Sequence, residues 1–200
     1  MRKSMTRPHP VKHQIERLRR ELSTVEPAPR DALAGKSNAA AVLVPIFERA
    51  GELHVVYIRR SDHVESHRGQ VAFPGGRVDP GDVTLLDAAL REAREEVAIE
   101  PATVDVLGAF PTLSTMATNI IVAPFAGVIP GDSRLARDPN EVAEIFDVPM
   151  AALADPRYRG ETEWQRDGRA AKSPAILYGG QTIWGLTLRI TLRMLEILGA

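Results

Sequence analysis

Three glutamates near the end of a strongly helical stretch are the side chains of this sequence best suited to chemistry. A helix over residues 83–98 would place Glu92, Glu95 and Glu96 on one face, within about 100° of one another. Hard divalent cations take oxygen ligands, so a face of three carboxylates suits Mg²⁺ or Mn²⁺. The alternative is a plain solvated acidic surface, and the residues alone leave both interpretations open.

Two features of the same helix favour a functional site. One turn earlier, the glutamate face carries Leu85, Ala88 and Ala89, which are not typical of a solvated surface. The glutamates also come late in the helix, where the helix macrodipole disfavours negative charge. Residues that break local rules in this way are candidates for function. The helical spacing predicts a separate stripe facing the core, made of Leu86, Leu90, Ala93 and Val97.

The elements that must position this helix are mostly short strands. Apolar runs rich in β-branched residues predict strands over residues 39–47, 53–60, 70–73, 104–109 and 119–128. A short strand and a helical turn share residues 141–153, and a last helix over 182–198 is interrupted by Gly185. Strands mixed with three or four helices predict an α/β fold in which helices sandwich a mixed β-sheet.

Charge is distributed unevenly along the chain. Residues 1–36 hold nine basic and four acidic side chains, whereas the remaining residues hold 16 basic and 22 acidic ones. We interpret residues 1–37 as a basic tail followed by an amphipathic helix, and residues 38–200 as the main domain. This helix has three alternative roles: it covers the domain, pairs with a second copy in a homodimer, or stays free of both. Its predicted apolar face consists of Val11, Ile15, Leu18 and Leu22.

Composition excludes several classes of protein. The 200 residues include no cysteine, which excludes disulfide scaffolds, zinc-thiolate sites and thiol nucleophiles. The net charge of −1 gives no reason to expect nucleic acid as a partner. No apolar run approaches the roughly 18 residues that a membrane-spanning helix needs, so we expect no membrane partner. The expected location is the cytoplasm.

Residues 75–99 resemble the sequence signature of the Nudix hydrolase superfamily, the Nudix box. Residues 91–99, REAREEVAI, match its second half except that Ala98 replaces a glycine. Gly76 lies 15 residues before Arg91, one more than the generic spacing, and Asp82 stands where the leading glutamate would be. This longer spacing resembles the coenzyme A pyrophosphatase branch, as does the run over residues 60–76. The resemblance extends over residues 38–198 through the segments 140–142 and 183–185.

The resemblance implies a Nudix-type α/β/α sandwich and a metal-dependent pyrophosphohydrolase. The expected substrate is a small nucleotide, coenzyme A or an acyl derivative, split into 3′,5′-ADP and a 4′-phosphopantetheine. The expected cofactor is Mg²⁺ or Mn²⁺. By the same resemblance, Glu92, Glu95 and Glu96 are the metal ligands, and Glu92 also serves as general base or holds the metal that activates the water. Arg91 is expected to fix a glutamate carboxylate through a forked hydrogen-bonded pair.

Further residues are candidates for substrate binding. Gly75 and Gly76 would let the backbone approach phosphate or metal closely, although a plain tight turn explains either glycine alone. His67 belongs to the branch signature near substrate, and Arg60 is a candidate for the extra 3′-phosphate of coenzyme A. Glu141 is expected to add an acid opposite the helix, with Glu144 as its competitor.

Two departures from the branch support alternative functions. Glu65 stands where the branch usually carries arginine, and residues 115–119 lack its Ser-Gly-aromatic run. The first alternative is therefore a Nudix hydrolase acting on ADP-ribose, a dinucleotide or a modified nucleoside triphosphate. The second is a non-catalytic Nudix module that binds a nucleotide, and the third is a structural protein with an acidic helix.

Overall fold

A mixed β-sheet lies at the centre of the structure, a computed structural model that describes residues 10–26, 39–64, 67–114, 120–166 and 169–200. Among these residues, eight strands form the central sheet. They are β1 (Ala39–Arg49), β2 (Glu52–Arg60), β3 (Val71–Ala72), β4 (Gly75–Arg77), β5 (Asp105–Ala109), β6 (Leu113–Ser114), β7 (Ile121–Val128) and β8 (Val142–Pro149). A second sheet contains β9 (Arg159–Arg166), β10 (Arg169–Tyr178) and β11 (Gln181–Trp184).

Strand β1 organises the central sheet. It runs parallel to β7, with Ala39 opposite Ile121 and Ile46 opposite Val128, and it is antiparallel to β2 and β4. Strand β8 pairs antiparallel with the other edge of β2. Parallel and antiparallel pairs thus coexist, which confirms the predicted mixed sheet.

Helices cover both faces of this sheet. The helices are α1 (Pro10–Leu22), α2 (Leu85–Val97), α3 (Met150–Ala154) and α4 (Gly185–Leu198). Helix α2 packs on β1 and β4, while α1, α3 and α4 join a core cluster that includes the fully buried Tyr57. The predicted α/β/α architecture is therefore confirmed.

Helix α2 has clear sequence reasons to form where it does. Thr84 accepts a hydrogen bond from the Asp87 amide, and the Asp87 carboxylate accepts one from the Thr84 amide, a reciprocal capping box. The helix ends where Ala98 adopts a left-handed conformation with φ 58°. The glutamates therefore occupy its last two turns, as predicted.

The predicted core stripe of α2 is only partly correct. Ala93 and Val97 are buried, but Leu86 and Leu90 are half-buried. The helix instead turns its small residues towards β1 and β4, since short side chains allow the close packing seen there. The buried face consists of Leu85, Ala88, Ala89, Ala93, Glu96 and Val97.

The end of the chain corrects another prediction. Residues 181–184 form strand β11 instead of the first turn of a helix, and α4 starts at Gly185. Gly179 and Gly180, both with positive φ, make the tight turn that joins β10 to β11. The sequence analysis had assigned no element to residues 154–181, where the structure places the hairpin of β9 and β10.

Helix α1 packs against β5 and α4. Its buried residues are Val11, Leu18 and Leu22, and Ile15 is half-buried against the same cluster. Arg17 donates to the Leu198 carbonyl at 3.0 Å and Arg19 to the Val106 carbonyl at 3.1 Å. Of its three alternative roles, the structure shows the first, covering the domain. The division of the chain after residue 37 stays a prediction.

Two of the sequence features that weaken the coenzyme A assignment, Glu65 and the run 115–119, lie outside the described residues. None of the helices within the described residues combines the length and apolar character needed to cross a membrane.

Candidate active site

Glu96 is the most deeply buried carboxylate of the acidic helix. Its side chain is 2% exposed, and Oε2 accepts a hydrogen bond of 2.8 Å from the Gly75 amide. Its Oε1 lies 3.4 Å from Nη1 of Arg60. Burial raises the pKa of Glu96 to about 8, because the amide and Arg60 offset only part of the desolvation, and Glu92 and Glu141 add repulsion. The predicted ligand is thus largely removed from solvent, and Arg60 compensates its charge only in part.

Glu92 lies against Gly76 of strand β4, the strand that precedes the helix. A Cβ on Gly76 would come within 2.5 Å of the Glu92 carboxyl carbon, so this carboxylate occupies the space that a side chain there would fill. Its Oε1 accepts a hydrogen bond of 3.0 Å from Arg91. Burial raises the pKa of Glu92, Arg91 lowers it, and the charges of Glu95 and Glu141 raise it further.

Glu95 differs from the other two glutamates in exposure. Its side chain is 57% exposed, and Oε2 accepts a hydrogen bond of 3.0 Å from Arg91. The three predicted ligands therefore share one end of the helix, with Glu92 and Glu96 facing inwards and Glu95 at the solvent edge.

Arg91 connects the helix to the loop before it. Its Nε and Nη2 each donate to Asp82 at 3.0 Å, while Nη1 donates to Glu92 and Glu95. The forked pair predicted for this arginine exists, but its partner is Asp82 and not a glutamate. The hydrogen bonds to Asp82 raise the pKa of Arg91, which keeps the guanidinium charged.

Asp82 belongs to the candidate site through contacts that were not predicted from the sequence. Its side chain is 5% exposed, and Oδ2 also accepts a hydrogen bond of 2.7 Å from the Asp79 amide. A signal was available, since a carboxylate replaces the expected glutamate and lies nine residues before Arg91. Asp82 thus fixes the guanidinium that in turn holds Glu92.

The two glycines allow the backbone to approach the acidic helix. Gly75 has φ 153°, and a Cβ there would lie 2.4 Å from the Ala41 carbonyl oxygen. Only glycine fits at this position of β4, because any side chain would overlap the backbone of β1. The backbone at Gly75 and Gly76 thus comes close to carboxylates of the helix, and its approach to phosphate or metal stays a prediction.

Arg60 reaches the acidic helix from the end of β2. The pairing of β2 with β8 shifts register between Arg59 and Arg60, so that Arg60 lies opposite Val142. By strand alternation Arg60 points to the same face of β2 as Ile58, the face that α2 covers. Arg60 contacts Glu96, while its neighbour Arg59 donates to Glu144 at 3.3 Å.

Glu141 and Glu144 separate in the structure. Glu144 accepts hydrogen bonds from Arg59 and Gln181, whereas the exposed Glu141 is close enough to raise the pKa of both Glu92 and Glu96. Of the two competitors, Glu141 is the one near the acidic helix. His67 is exposed, adopts φ 58° and hydrogen-bonds through Nδ1 to Gln70 at 2.9 Å. No described contact joins it to the glutamates.

The donor set suits a hard divalent cation, although arginines engage the carboxylates. Within the described residues, no three acidic or histidine side chains converge as a ready metal cluster. Glu92 and Glu95 both accept hydrogen bonds from Arg91, and Glu96 faces Arg60. Burial and repulsion from neighbouring carboxylates nevertheless raise the pKa of both Glu92 and Glu96. A divalent cation would offset that repulsion and prefers such oxygen ligands, so the residues fit the group.

Comparisons with family models and with known proteins agree on one family for this chain. The NUDIX domain model matches residues 37–167. A Yersinia enterocolitica protein named "Uncharacterized Nudix hydrolase NudL" is 40% identical over 166 residues, covering 82% of this chain and 84% of that protein. The NudL protein of Yersinia pestis is 41% identical over 155 residues, covering 77% and 76%.

A solved structure shares the fold. A Deinococcus radiodurans protein is similar with a TM-score of 0.51 and 16% identity, covering 78% of this chain and 82% of that one. The family model spans most of this chain, and the two Yersinia relatives align with it over about three quarters or more of their own length. This chain therefore belongs to the Nudix hydrolase family.

Proposed function

We propose that this Nudix hydrolase is a metal-dependent pyrophosphatase that cleaves coenzyme A or acyl-coenzyme A into 3′,5′-ADP and (acyl-)4′-phosphopantetheine. One observation carries the proposal. The run over residues 60–76, which resembles the coenzyme A branch, donates to Glu96 from both of its ends, through Arg60 and the Gly75 amide. The segment that distinguishes the branch is thus attached to the acidic helix that characterises the family.

Mg²⁺ or Mn²⁺ would be held by Glu92 and Glu96, with Glu95 joining from the exposed edge. When bound, the ion would neutralise phosphate oxygens and lower the pKa of the attacking water. Glu141 contributes negative charge on the side opposite the helix and is a further candidate ligand or base.

Glu92 is our candidate for the general base. A base works best when its pKa lies close to the working pH, and burial shifts Glu92 in that direction. Its carboxylate is fixed by Gly76 on one side and by Arg91 on the other. In this proposal Glu92 accepts the proton of the water that attacks the diphosphate.

Arg91 acts as a positioning residue. Four hydrogen bonds to Asp82, Glu92 and Glu95 satisfy most of its donors, which leaves little capacity for substrate. Its role is to hold the carboxylates at a fixed spacing, since small displacements of reacting groups cost large factors in rate.

Substrate phosphate would lie where the backbone comes closest to the carboxylates. Gly75 and Gly76 line this place, and Arg60 is the nearest basic side chain that contacts Glu96. This placement favours the diphosphate over the 3′-phosphate as the group that Arg60 meets. His67 remains a proposed substrate contact through its place in the branch signature.

A second candidate function is hydrolysis of ADP-ribose, a dinucleotide or a modified nucleoside triphosphate. It is favoured by Glu65 and the altered run 115–119, which replace features typical of the coenzyme A branch. A non-catalytic module is disfavoured because Glu92, Glu95 and Glu96 are all present.

Mass spectrometry of reaction products tests the proposal. Purified protein is incubated with Mg²⁺ or Mn²⁺ and, separately, with coenzyme A, ADP-ribose and a dinucleotide, in water enriched in ¹⁸O. We expect 3′,5′-ADP from coenzyme A, with the ¹⁸O label in one product identifying the phosphorus that is attacked.

The matched control is Glu96→Gln, which keeps the shape of the buried side chain and removes its charge. Product that persists in this variant would point to a contaminating activity. Cleavage of ADP-ribose in preference to coenzyme A would replace the proposed substrate but keep the proposed chemistry. Absence of cleavage for all three substrates would contradict the coenzyme A assignment.

A further inference from the structure

Arg60 makes an unusually poor set of contacts for a largely buried arginine. Its side chain is 21% exposed, its Nη1 lies 3.4 Å from Glu96, and its Nε is buried without a hydrogen-bond partner among the described residues. A buried donor left unpaired costs free energy, so native structures keep one only where something else is gained.

The backbone of Arg60 is, by contrast, firmly held. Its amide donates to the Gln70 carbonyl at 3.0 Å, and its carbonyl accepts from the Gly69 amide at 3.1 Å. Arg60 lies on the same face of β2 as Ile58, which packs with Ala93 and Val97, so strand alternation directs its side chain towards α2. Because the backbone of Arg60 is fixed and its guanidinium is weakly bonded, the side chain can change partners while strand β2 stays in place.

The charge balance explains why a change of partner would follow metal binding. Without metal, Arg60 is the cation that faces the buried Glu96, and Glu92 and Glu141 add repulsion there. With a divalent cation on the carboxylates, Arg60 becomes a second positive charge beside the first. An anion such as a diphosphate then restores the balance.

We propose that Arg60 is an exchangeable counter-cation: it pairs with Glu96 in the metal-free site and transfers to a substrate phosphate oxygen when metal occupies the carboxylates. This inference rests on the proposed function only for the presence of a metal and a diphosphate. It predicts that Arg60 competes with metal in the free protein and assists phosphate in the loaded one. The two effects have opposite signs.

The first experiment measures Mn²⁺ binding by isothermal titration calorimetry in the absence of substrate. Arg60→Met removes the charge and keeps most of the length, so we expect Mn²⁺ to bind about tenfold more tightly, a coupling of ordinary size. The matched control is Arg59→Met, because Arg59 is the adjacent residue but faces Glu144. Its Mn²⁺ affinity should equal that of the wild type.

The second experiment measures binding of methylenediphosphonate, a diphosphate analogue that resists hydrolysis, at a Mn²⁺ concentration that saturates each variant. We expect Arg60→Met to bind the analogue about tenfold more weakly than the wild type, and Arg59→Met to bind it equally. A purely structural role of Arg60 would weaken Mn²⁺ and analogue binding together.

The outcomes separate this inference from the proposed function. Unchanged or weaker Mn²⁺ binding by a folded Arg60→Met protein overturns the inference, whatever substrate the enzyme cleaves. Tighter Mn²⁺ binding with weaker analogue binding supports it, even if coenzyme A is not the substrate. Absence of Mn²⁺ binding by the wild type overturns both the inference and the metal-dependent chemistry.

A measurement on the wild type covers the case in which Arg60→Met does not fold. The Arg60 Nε proton is buried, so its side-chain ¹H–¹⁵N signal should be observable, and the folded Arg60→Lys variant assigns it by its absence. Saturating Mg²⁺ should shift this signal as the guanidinium leaves Glu96. If Mg²⁺ binds to the protein but this signal does not shift, the inference is overturned.

Discussion

At the scale of single residues, Gly76 controls where the proposed base lies. An alanine Cβ would overlap the Glu92 carboxylate, which is the far end of a flexible side chain and so would move. We expect Gly76→Ala to lower kcat about 100-fold, because displacements of about 1 Å have effects of that size. Steady-state kinetics with Mn²⁺, together with thermal unfolding, measures both consequences.

Gly81→Ala is the matched control for this prediction. Gly81 lies five residues further on, between β4 and α2, but a Cβ there would meet nothing within 4 Å. Its kcat should stay at the wild-type value. Equal losses in the two variants would mean that the loop backbone, and not the position of Glu92, accounts for the effect.

Asp82 shows how burial changes the contribution of an ion pair to the free energy of unfolding. Removing one partner of a buried pair is costly, whereas exposed pairs contribute little. Asp82→Asn should therefore lower the free energy of unfolding by about 2 kcal/mol, since Arg91 keeps its glutamate partners. Asp105→Asn breaks the exposed pair with Arg19 and should cost less than about 0.5 kcal/mol.

Urea denaturation of the two variants tests this difference. A loss of kcat in Asp82→Asn alone would add support for the positioning role of Arg91. If both substitutions cost the same free energy, the buried position of Asp82 would not be the cause.

At the scale of elements, Gly108 determines whether α1 can dock. Gly108 has φ 139°, and a Cβ there would lie 2.4 Å from the backbone carbon of Leu22 at the end of α1. Backbone atoms cannot move aside as a flexible side chain does. We expect Gly108→Ala to lower the free energy of unfolding by about 3 kcal/mol, from overpacking and backbone strain together.

Gly179→Ala separates these two costs. Gly179 also has positive φ, at 58°, but nothing lies within 4 Å of a Cβ there, so only the backbone cost of about 1 kcal/mol applies. Thermal unfolding compares the variants, and limited proteolysis should show α1 released in Gly108→Ala. Equal stability losses would contradict a steric role for Leu22.

The sequence predicted α2 better than it predicted which face of α2 is buried. Its helix signals are the helical spacing of apolar and acidic residues, which is local and was therefore visible in the sequence. Burial depends on what the helix meets, and contact with β1 and β4 selected small residues over Leu86 and Leu90. The Gly179 and Gly180 turn was a readable hairpin signal that the sequence analysis passed over.

At the scale of the whole molecule, Glu96 makes the metal-free protein sensitive to pH. Its pKa is about 8 in the folded state, against 4.5 for an unperturbed glutamate, so the folded state binds more protons between these limits. The free energy of unfolding therefore falls as pH rises from about 5 to 8. We expect a fall on the order of 3 kcal/mol in the presence of a chelator.

Urea denaturation between pH 5 and 8 measures this slope. Glu96→Gln should remove most of the fall, because the glutamine does not titrate and only the smaller shift of the Glu92 pKa remains. Glu95→Gln, at a side chain that is 57% exposed, should leave it in place. An equal slope in the wild type and Glu96→Gln would assign the pH dependence to other groups.

The fold as a whole was within reach of the sequence, whereas the site was only partly so. The family resemblance and strand periodicity predicted a sandwiched mixed sheet, and spacing along one helix identified Glu92, Glu95 and Glu96. The contact of Arg60 with Glu96 joins the end of β2 to α2, and spacing within either element alone does not reveal such a tertiary contact.

The attachment of α1 has a consequence for the order in which the protein is made. Arg19 and Arg17 bond to carbonyls 87 and 181 residues further along the chain. During synthesis the ribosome therefore releases α1 long before α4, its partner, exists. Its apolar face stays without that partner until residues 185–198 are translated. Helix α1 is thus made well before it can be fully packed, and nascent chains that stall before α4 would carry it exposed.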